Sequence, residues 1–424
     1  MRRRDFLKVV GAAATSGALA GCATSSEPRK PIGRVIVIGG GYGGATAARY
    51  LRKWSGGTVQ VFLVDREPNF VSCPLSNLVL GGSRSIDYVT RSRAKLRDEG
   101  VQVLQDVVTG IDRAKKTIQL TKIQDLSYDR LVLSPGVDFM FDQLPGLNNT
   151  EAQKQVLHAW KAGPDTVALR GQLEAMPDGG VFVLSIPKAP YRCPPGPYER
   201  ACQVASYFKK SKPRSKVIVL DANEDVISKG PLFKAVWNNL YKGIIDYRNN
   251  AEAKDVDVAG RIVVTDFDKI KGDVLNVIPP MRAADIARTS GLITANNRWC
   301  GVNWQTTQSE VDPNIYILGD ATLSAPVMPK SGHMANQHAK VAAAAIINAL
   351  TGVPPNPEPM VMNTCYSFVS DTDVIHVASV HRWDAEKKTL MTVPGSGGVS
   401  TGPSAIEGEN AHAWAQNIWN DMLG

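Results

Sequence analysis

The sequence lacks the patterns that mark several large classes of protein. Beyond Cys22 it has no run of basic residues interleaved with aromatic ones, so its net charge of +8 does not indicate nucleic-acid binding. No stretch of eighteen consecutive apolar residues follows Cys22, which argues against a membrane-spanning body. Its six cysteines form no C-x-x-C, C-x-x-C-H or cysteine–histidine metal spacing. Neither haem attachment nor a metal site in this chain is therefore predicted.

The N-terminus carries a predicted export signal. Arg3–Lys8 reads Arg-Arg-Asp-Phe-Leu-Lys, and the mild apolar stretch Val9–Ala20 that follows is too short to span a bilayer. We therefore expect the twin-arginine pathway to deliver the folded chain to the periplasm. Leu19–Cys22 also resembles a lipobox, so a lipid anchor at Cys22 stays open beside ordinary cleavage after Ala20.

A β-α-β unit follows the signal. Arg34–Ile38 is a continuous apolar run, as in a buried parallel strand, and Ala45–Trp54 is a helix of small residues. Val59–Val64 is the next strand and ends at Asp65. This order predicts a parallel sheet covered by helices.

The turn between this strand and helix matches G-x-G-x-x-G. Gly39 would allow the tight turn, Gly41 the approach of a pyrophosphate, and Gly44 the close packing of helix on strand. The phosphates would lie at the helix N-terminus, where free N–H groups and the helix dipole favour anions. Asp65 would accept hydrogen bonds from ribose hydroxyls. These residues predict a dinucleotide site.

A second signature selects FAD. The predicted strand Ile315–Leu318 ends at Gly319 and Asp320, ahead of a long alanine-rich helix whose start lies near Lys330. We expect Asp320 to bind the ribitol chain and the helix N-terminus to stabilise negative charge on the flavin ring. Gly136, after another buried strand, is a further predicted cofactor contact.

A second region repeats the first without its glycines. Gly180–Leu184 and Lys216–Leu220 are predicted strands, with a predicted helix near Glu199–Lys210 between them, and the second strand ends at Asp221. The segment Leu184–Pro190 stands where a nicotinamide dinucleotide would need G-x-G-x-x-G, and its prolines have no N–H to offer phosphates. NAD(P)H is therefore not the expected electron donor.

These elements predict an α/β fold with two Rossmann-like domains and a small α+β C-terminal domain. Residues 1–30 are signal and linker. The FAD-binding domain is discontinuous, formed by residues 31–145 and 285–352. The second Rossmann-like domain spans 146–284, and a flavin-capping or interface domain spans 353–424.

Two cysteines lie where redox chemistry would be useful. Cys193 is in a proline-rich turn at the position of the missing nucleotide loop, and Cys365 is in the C-terminal region. A disulfide between them would place a two-electron group beside a two-electron flavin. Two unrelated buried thiols are the alternative.

Three segments together resemble a known family. Arg192–Arg200, Pro329–Gly332 and Thr364–Ser367 are similar to the flavoprotein subunit of flavocytochrome c sulfide dehydrogenase, which has a glutathione-reductase type of fold. The resemblance extends over nearly the whole chain. The cysteine–proline motif is specific, whereas the glycine fingerprint and the Gly-Asp pair are shared with relatives of glutathione reductase and sulfide:quinone reductase.

The resemblance implies roles for four residues. Cys73 corresponds to the cysteine that bonds covalently to FAD, although this chain has Pro74 where the family usually has an aromatic residue. Cys193 and Cys365 correspond to the redox-active disulfide. Glu199 corresponds to an acidic residue suited to proton handling beside it.

The implied function is sulfide oxidation with electron transfer to a small c-type cytochrome. Haem c would be carried only by this partner subunit, in a heterodimer. Two alternatives stay open: a sulfide:quinone reductase, and a non-catalytic flavoprotein that only transfers electrons inside a cytochrome complex.

Overall fold

The apolar runs of the sequence form parallel strands, and the glycine-rich and proline-rich segments form the turns between strands and helices. A computed structural model describes residues 30–424, so the predicted export signal and Cys22 lie outside the described residues. The α-helices are α1 (Tyr42–Trp54), α2 (Ser76–Gly81), α3 (Ala94–Asp98), α4 (Thr150–Gln155), α5 (Pro164–Ala175), α6 (Gly196–Ser211), α7 (Gly230–Asn239), α8 (Asp285–Thr289), α9 (Gly332–Thr351) and α10 (Ala405–Leu423).

The strands run through the whole described region. In the first third they are β1 (Gly33–Ile38), β2 (Val59–Asp65), β3 (Phe70–Val71), β4 (Thr90–Arg91), β5 (Gln102–Gln105), β6 (Val108–Asp112), β7 (Thr117–Leu120), β8 (Leu126–Ser127), β9 (Arg130–Leu133) and β10 (Val137–Phe139). In the middle they are β11 (Val181–Ile186), β12 (Lys216–Asp221), β13 (Ile245–Arg248), β14 (Asp255–Asp257), β15 (Ile262–Val264), β16 (Lys269–Lys271), β17 (Val274–Val277) and β18 (Met281–Ala283). The last are β19 (Val302–Asn303), β20 (Gln308–Ser309), β21 (Ile315–Ile317), β22 (Met360–Phe368), β23 (Val374–Asp384), β24 (Thr389–Thr392) and β25 (Gly398–Val399).

The first sheet has seven strands in the order β19-β20-β21-β9-β1-β2-β5. Strand β1 is parallel to both of its neighbours, with Ile36 opposite Phe62 on β2 and Leu131 on β9. Residues 35–38 are all buried, because both faces of a parallel sheet are covered by other elements. This explains why the strand reads as a continuous apolar run.

The second sheet has the order β13-β12-β11-β17, and all of its pairs are parallel. It repeats the strand–helix–strand arrangement of the first sheet. The predicted α/β class with two Rossmann-like regions is confirmed. The first sheet takes its strands from 33–133 and 302–317, and the second from 181–277. The predicted domain boundaries themselves stay predictions.

Two helices begin earlier than the sequence pattern predicted. Helix α1 begins at Tyr42 rather than Ala45, and α6 begins at Gly196 rather than near Glu199. Small or ring-constrained residues in the first turn allow this, since Gly43 can pack against the sheet and proline is tolerated where no N–H partner is needed. Each helix therefore starts directly at the cavity described below.

The C-terminal region forms an antiparallel sheet and a helix. Its order is β22-β23-β24, with β25 also paired to β23, and Cys365 lies in the middle of β22 opposite Val377. Helix α10 packs on α1, where Trp419 Nε1 donates to the hydroxyl of Tyr42 at 3.1 Å. Between residues 30 and 424 no helix combines the length and the apolar character needed to cross a membrane.

Candidate active site

One cavity of about 770 Å³ brings together most of the residues that the sequence singled out. It extends from the glycine turn after β1 to the cysteines of the second and third regions. Gly44 is absent from its lining because it packs behind the turn. The predicted site residues that do line it are Gly39, Gly41, Asp65, Cys73, Gly136, Cys193, Glu199, Gly319, Asp320, Lys330 and Cys365.

The glycine turn has the geometry of a phosphate cradle. Gly39 has φ +92°, and a Cβ on Gly44 would lie 1.7 Å from the carbonyl oxygen of Gly39. A side chain at either position would therefore force the turn open. A Cβ on Gly41 would meet no atom within 4 Å, so this part of the main chain faces the cavity. The open approach at the start of α1 suits a pyrophosphate.

Asp65 lies beside this cradle, and most of its acceptor positions are filled by protein donors. Its Oδ2 accepts hydrogen bonds from the N–H of Gly40 and from Arg93 Nη2 (3.1 Å), and its Oδ1 accepts from the N–H of Glu67 (2.8 Å). Three of roughly four lone-pair positions on the carboxylate are thus filled. One acceptor position is left for a ribose hydroxyl.

Asp320 has an unsatisfied oxygen in the buried part of the site. Its Oδ1 is buried and has no hydrogen-bond partner among the described residues. A buried acceptor without a partner is costly, so this atom fits a ligand hydroxyl such as those of the ribitol chain of FAD. Together with the open main chain at Gly41, it shows that the chain's own residues fit FAD.

Lys330 is buried beside Asp320 but is held by the main chain. Its Nζ donates to the carbonyl oxygens of Asp320 (3.1 Å) and Thr322, and lies 3.7 Å from the ring centroid of Trp299. Burial lowers the pKa of Lys330 to about 7. The lysine therefore supports the Gly319–Asp320 segment as well as lining the cavity.

Cys73 lies on the loop before α2, at the cavity wall. Its Sγ contacts Nη2 of Arg192 and accepts a hydrogen bond from the N–H of Ala162 at 3.5 Å. Burial alone would lower the pKa of Arg192, but the nearby Cys73 sulfur and Asp320 carboxylate raise it. A permanent cation is thus placed against the sulfur that the family resemblance assigns to the flavin bond.

Cys193 and Cys365 line the same cavity from different regions of the chain. Cys193 has φ +57° in the turn before α6, and its N–H donates to the carbonyl of Lys330 at 2.8 Å. Both cysteines are free thiols in this structure, and the disulfide between them stays a prediction. Burial raises the pKa of both thiols, which favours their neutral form.

Glu199 connects the surroundings of all three cysteines. Its Oε1 accepts from the N–H of Phe368 (3.0 Å), at the end of the strand that carries Cys365. Its Oε2 accepts from Nδ2 of Asn77 (3.1 Å), on the helix that follows Cys73. Only 6% of Glu199 is exposed, and burial raises its pKa. A carboxyl with a raised pKa suits proton transfer at this position.

Asp221, the acidic residue at the end of the second strand of the second Rossmann-like region, has hydrogen-bond donors from the protein on both of its carboxylate oxygens. Asp221 is buried, and its Oδ2 accepts from the hydroxyls of Tyr198 (2.8 Å) and Tyr247 (3.0 Å). Its Oδ1 accepts from the main-chain N–H and the side-chain amide of Asn223. The carboxylate that would bind a ribose in a nucleotide-binding half therefore has its acceptor positions filled by the protein.

Sequence reasoning missed several side chains of the site. Arg93 and Lys229 are buried cations that no local motif marks, and Arg192, which is half-buried, lies inside the cysteine–proline motif without any sign there of its contact with Cys73. His333 and Trp414 also line the cavity, with ring centroids 5.7 Å apart. Within residues 30–424 no three histidine, cysteine, aspartate or glutamate side chains are grouped so that they could hold a metal ion.

Three family descriptions match successive parts of the chain. "Pyridine nucleotide-disulphide oxidoreductase" matches residues 33–170, and "Sulfide dehydrogenase [flavocytochrome c] flavoprotein chain, central" matches 166–279. "Flavocytochrome c sulphide dehydrogenase, flavin-binding" matches 357–423. The sulfide dehydrogenase flavoprotein chain of Chlorobaculum thiosulfatiphilum is 52% identical over 46 residues, which is 94% of that sequence and 11% of this chain. This chain belongs to the sulfide dehydrogenase and sulfide:quinone oxidoreductase family of flavoproteins.

Relatives named sulfide:quinone oxidoreductases match over longer stretches of the chain. The mitochondrial sulfide:quinone oxidoreductase of Mus musculus is 24% identical over 312 residues, covering 68% of this flavoprotein and just under two thirds (65%) of the mouse protein. The structure of the sulfide:quinone oxidoreductase of Aquifex aeolicus superimposes with a TM-score of 0.74 at 18% identity, covering 92% of this chain and 91% of that one. At that identity the likeness shows the shared fold.

Proposed function

We propose that this flavoprotein oxidises sulfide at Cys193 and Cys365, with FAD in the adjoining cavity, and passes the electrons to a c-type cytochrome partner. The observation that carries the proposal is the single cavity that joins two cysteine sulfurs to the glycine turn and to the unsatisfied carboxylate of Asp320. Haem c would be supplied by the partner, as a heterodimer.

The residues that would hold FAD lie along this cavity. Gly39, Gly41 and Gly44 shape the phosphate cradle, Asp65 offers one acceptor to the ribose, and Asp320 offers another to the ribitol chain. When bound, FAD supplies a two-electron acceptor next to a two-electron thiol pair.

Cys73 is proposed as the point of covalent attachment to FAD. It lines the cavity beside the guanidinium of Arg192. Acid denaturation of the purified holoenzyme should leave the yellow colour on the polypeptide, and the same treatment of Cys73→Ala should release it. Release from both proteins would rule out the covalent bond.

The sulfur chemistry requires the oxidised form of the cysteine pair. Hydrosulfide attacks one sulfur of the disulfide, which leaves a persulfide on that cysteine and a thiolate on the other. Glu199, whose buried carboxyl lines the same cavity and acts electrostatically on both cysteines, would take up or return the proton of the incoming sulfide.

A cytochrome acceptor is favoured by the two matches to descriptions that name flavocytochrome c and by the 52% identity to the Chlorobaculum chain. Quinone is the second candidate, because the relatives that match over longer stretches are named sulfide:quinone oxidoreductases. The twin-arginine motif supports export, and we propose a periplasmic location in which a soluble cytochrome is accessible.

One assay separates the two acceptors. Sulfide-dependent reduction of cytochrome c and of decylubiquinone should be measured with the same preparation of holoenzyme, using Cys193→Ser as the shared control. We expect the cytochrome to be reduced faster. Faster reduction of decylubiquinone would replace the cytochrome proposal by the quinone one, and sulfide oxidation with neither acceptor would contradict both.

The state of the mature N-terminus has its own test. Intact mass of the mature protein purified from detergent-solubilised cells, membranes included, distinguishes a chain that starts unmodified at Gly21 from one with a lipidated Cys22. We propose cleavage at the ordinary site, and an added lipid mass on Cys22 would contradict it.

A further inference from the structure

Lys229 is a buried cation directly behind one of the two redox cysteines. It precedes α7 in the second Rossmann-like region and is 7% exposed. Its Nζ crosses to the C-terminal sheet, where it donates to the carbonyl of Cys365 (2.9 Å), the hydroxyl of Ser367 (2.7 Å) and the carbonyl of Ile375 (3.3 Å). The ammonium thus ties the strand that carries Cys365 to a different region of the chain.

All three acceptors of this ammonium are neutral. Within residues 30–424 no carboxylate oxygen lies within ion-pairing distance of Nζ. A buried charge without an ionic partner is expensive, and a neutral amide could make hydrogen bonds to the same oxygens. What the lysine adds is positive charge, and burial lowers its pKa only to about 8, so the charge is kept near neutral pH.

The Lys229 charge acts on two sulfurs and two carboxylates, all of which line the cavity except the carboxylate of Glu407. They are Cys365, Glu199, Cys193 and Glu407. The charge acts most strongly on Cys365. There the lysine opposes the rise that burial causes in the pKa of the thiol. The lysine therefore favours negative charge on Cys365 most strongly.

The two sulfurs differ in a second respect. Sγ of Cys365 receives a hydrogen bond from Nδ2 of Asn363 at 3.2 Å. Sγ of Cys193 has no hydrogen-bond donor among the described residues, and burial, Cys365 and Glu199 raise the pKa of its thiol against the lowering effect of Arg192. The amide acts on the Cys365 sulfur alone, and the Lys229 ammonium acts on Cys365 more strongly than on Cys193, so together they favour a thiolate at Cys365 over one at Cys193.

We propose that Lys229 is a positioning residue that makes Cys365 the leaving sulfur when sulfide opens the disulfide. Hydrosulfide then forms its new S–S bond with Cys193, and the electron pair of the Cys193–Cys365 bond leaves on the Cys365 sulfur. The proton stays on the terminal sulfur of the persulfide, so atoms and charge balance. A disulfide breaks faster towards the sulfur whose thiol is the stronger acid. This inference rests on the proposed oxidation of sulfide at the pair.

The first test measures the acidity of each thiol without any turnover. The reduced holoenzyme is alkylated with iodoacetamide over a range of pH, and the modified peptides of Cys193 and Cys365 are quantified by mass spectrometry. Wild type should react faster at Cys365 than at Cys193. Lys229→Gln should slow Cys365 by about tenfold at a fixed pH, equivalent to an upward shift of about one pKa unit, with little change at Cys193.

Two further variants separate charge from structure. Lys229→Arg keeps the charge and should retain the fast reaction at Cys365. Lys212→Gln removes another buried lysine that donates to main-chain carbonyls, those of Glu174 and Met176, but lies outside the cavity, and it should leave both rates unchanged. An unchanged Cys365 rate in Lys229→Gln, or equal slowing of both cysteines, would overturn the proposal.

The second test locates the incoming sulfur. Oxidised holoenzyme is mixed with one equivalent of sulfide, alkylated at once and digested, and the peptide that carries the extra sulfur is identified. We expect Cys193 in wild type and a mixture of both cysteines in Lys229→Gln. Extra sulfur on Cys365 in wild type would overturn the assignment. Absence of persulfide on either cysteine would instead contradict the proposed function, and the alkylation rates would still test the role of Lys229.

Discussion

The two Rossmann-like regions of this flavoprotein share a backbone plan and differ at the point where a nucleotide binds. In the first, β1 leads through three residues into α1, and the turn leaves an open main chain at Gly41. In the second, β11 leads through nine residues, from Pro187 to Pro195, into α6. Four of those nine residues are prolines, which have no N–H to offer phosphates, and the segment carries Cys193 instead.

The aspartates at the end of the second strand of each region differ in whether the carboxylate can still accept a hydrogen bond from a ligand. Asp65 keeps an acceptor position open to the cavity, whereas Asp221 is closed by two tyrosine hydroxyls and by Asn223. The scaffold alone therefore does not define a nucleotide site. A nucleotide site also needs an open turn and an unsatisfied acceptor. Where both are absent, the segment between strand and helix can instead position a thiol next to the FAD cavity of the other region.

Removal of Cys193 should have the largest effect, because the second region would lose its proposed chemical group. We expect Cys193→Ser to lower sulfide-dependent acceptor reduction by at least about 10³-fold, a modest figure for the loss of a nucleophile. FAD content, read from the visible spectrum, should not change, since the residues proposed to hold the phosphates, the ribose and the ribitol chain of FAD belong to the first region. Activity near the wild-type value would contradict the proposal that the second region supplies the sulfur chemistry and the first region binds the cofactor.

Cys202→Ala is the matched control for that variant. Cys202 is also buried on α6, but its Sγ accepts a hydrogen bond from Nε1 of Trp237 (3.3 Å) and lies outside the cavity. Its loss should reduce stability and leave the rate of sulfide oxidation essentially unchanged.

Glu199 should have the next largest effect, as the group that links the second region to the C-terminal sheet. Glu199→Gln keeps the size of the side chain and removes proton transfer, so we expect a fall of about 10²-fold in sulfide oxidation. The part of the pH–rate profile that reflects the ionisation of Glu199 should be absent in Glu199→Gln. A variant with the wild-type profile would show that proton handling lies elsewhere.

The same variant has an expected signature in stability. Because burial raises the pKa of Glu199 in the folded state, its contribution to stability is fully present below the ordinary glutamate pKa and is lost as the pH rises through the raised value. Urea unfolding between about pH 4 and pH 8 should show wild type losing stability relative to Glu199→Gln as pH rises. The opposite slope would mean that the carboxylate is stabilised as an anion.

The first region was largely predictable from sequence, and the reason is local. Its strand, turn, helix and closing acid follow one another within 33 residues, so their spacing alone predicts the tight turn at Gly39, the close packing at Gly44 and the position of Asp65. The α/β class follows from the same contiguous patterns. The helix start at Tyr42 was missed because glycine weakens a helix signal even where packing stabilises the helix.

The surroundings of the cysteines could not be predicted in this way. Arg192 reaches Cys73 across 119 positions, and Lys229 reaches Cys365 across 136. Such contacts depend on how three regions pack together, which no spacing in the sequence encodes. The closure of Asp221 by Tyr247 was missed for the same reason, although the absence of glycines already pointed away from NAD.

A Cβ on Gly44 tests the first region more mildly. It would lie 1.7 Å from the carbonyl oxygen of Gly39, so Gly44→Ala must displace main chain and should cost about 1–3 kcal/mol of stability together with part of the bound FAD. Thermal unfolding and FAD content measure both. Gly171→Ala, in α5 with no atom within 4 Å of the added Cβ, should be neutral or slightly stabilising.

The smallest expected effect reports on whether the second region can still act as a nucleotide site. Tyr247→Phe removes one of the two hydroxyls that donate to Oδ2 of Asp221, at a cost of about 1 kcal/mol in the free energy of unfolding. Tyr207→Phe is the matched control, since no hydrogen bond to its hydroxyl occurs among the described residues.

The freed acceptor in Tyr247→Phe sharpens the comparison of the two regions. If the filled acid were the sole barrier to a nucleotide, NADH would now bind and reduce the flavin. We expect no reduction by NADH in either wild type or variant, because Pro187 and Pro190 still offer no N–H groups to a pyrophosphate. Flavin bleaching by NADH in the variant would show that the acid alone separates the two regions, and that the segment which carries Cys193 can still admit phosphates.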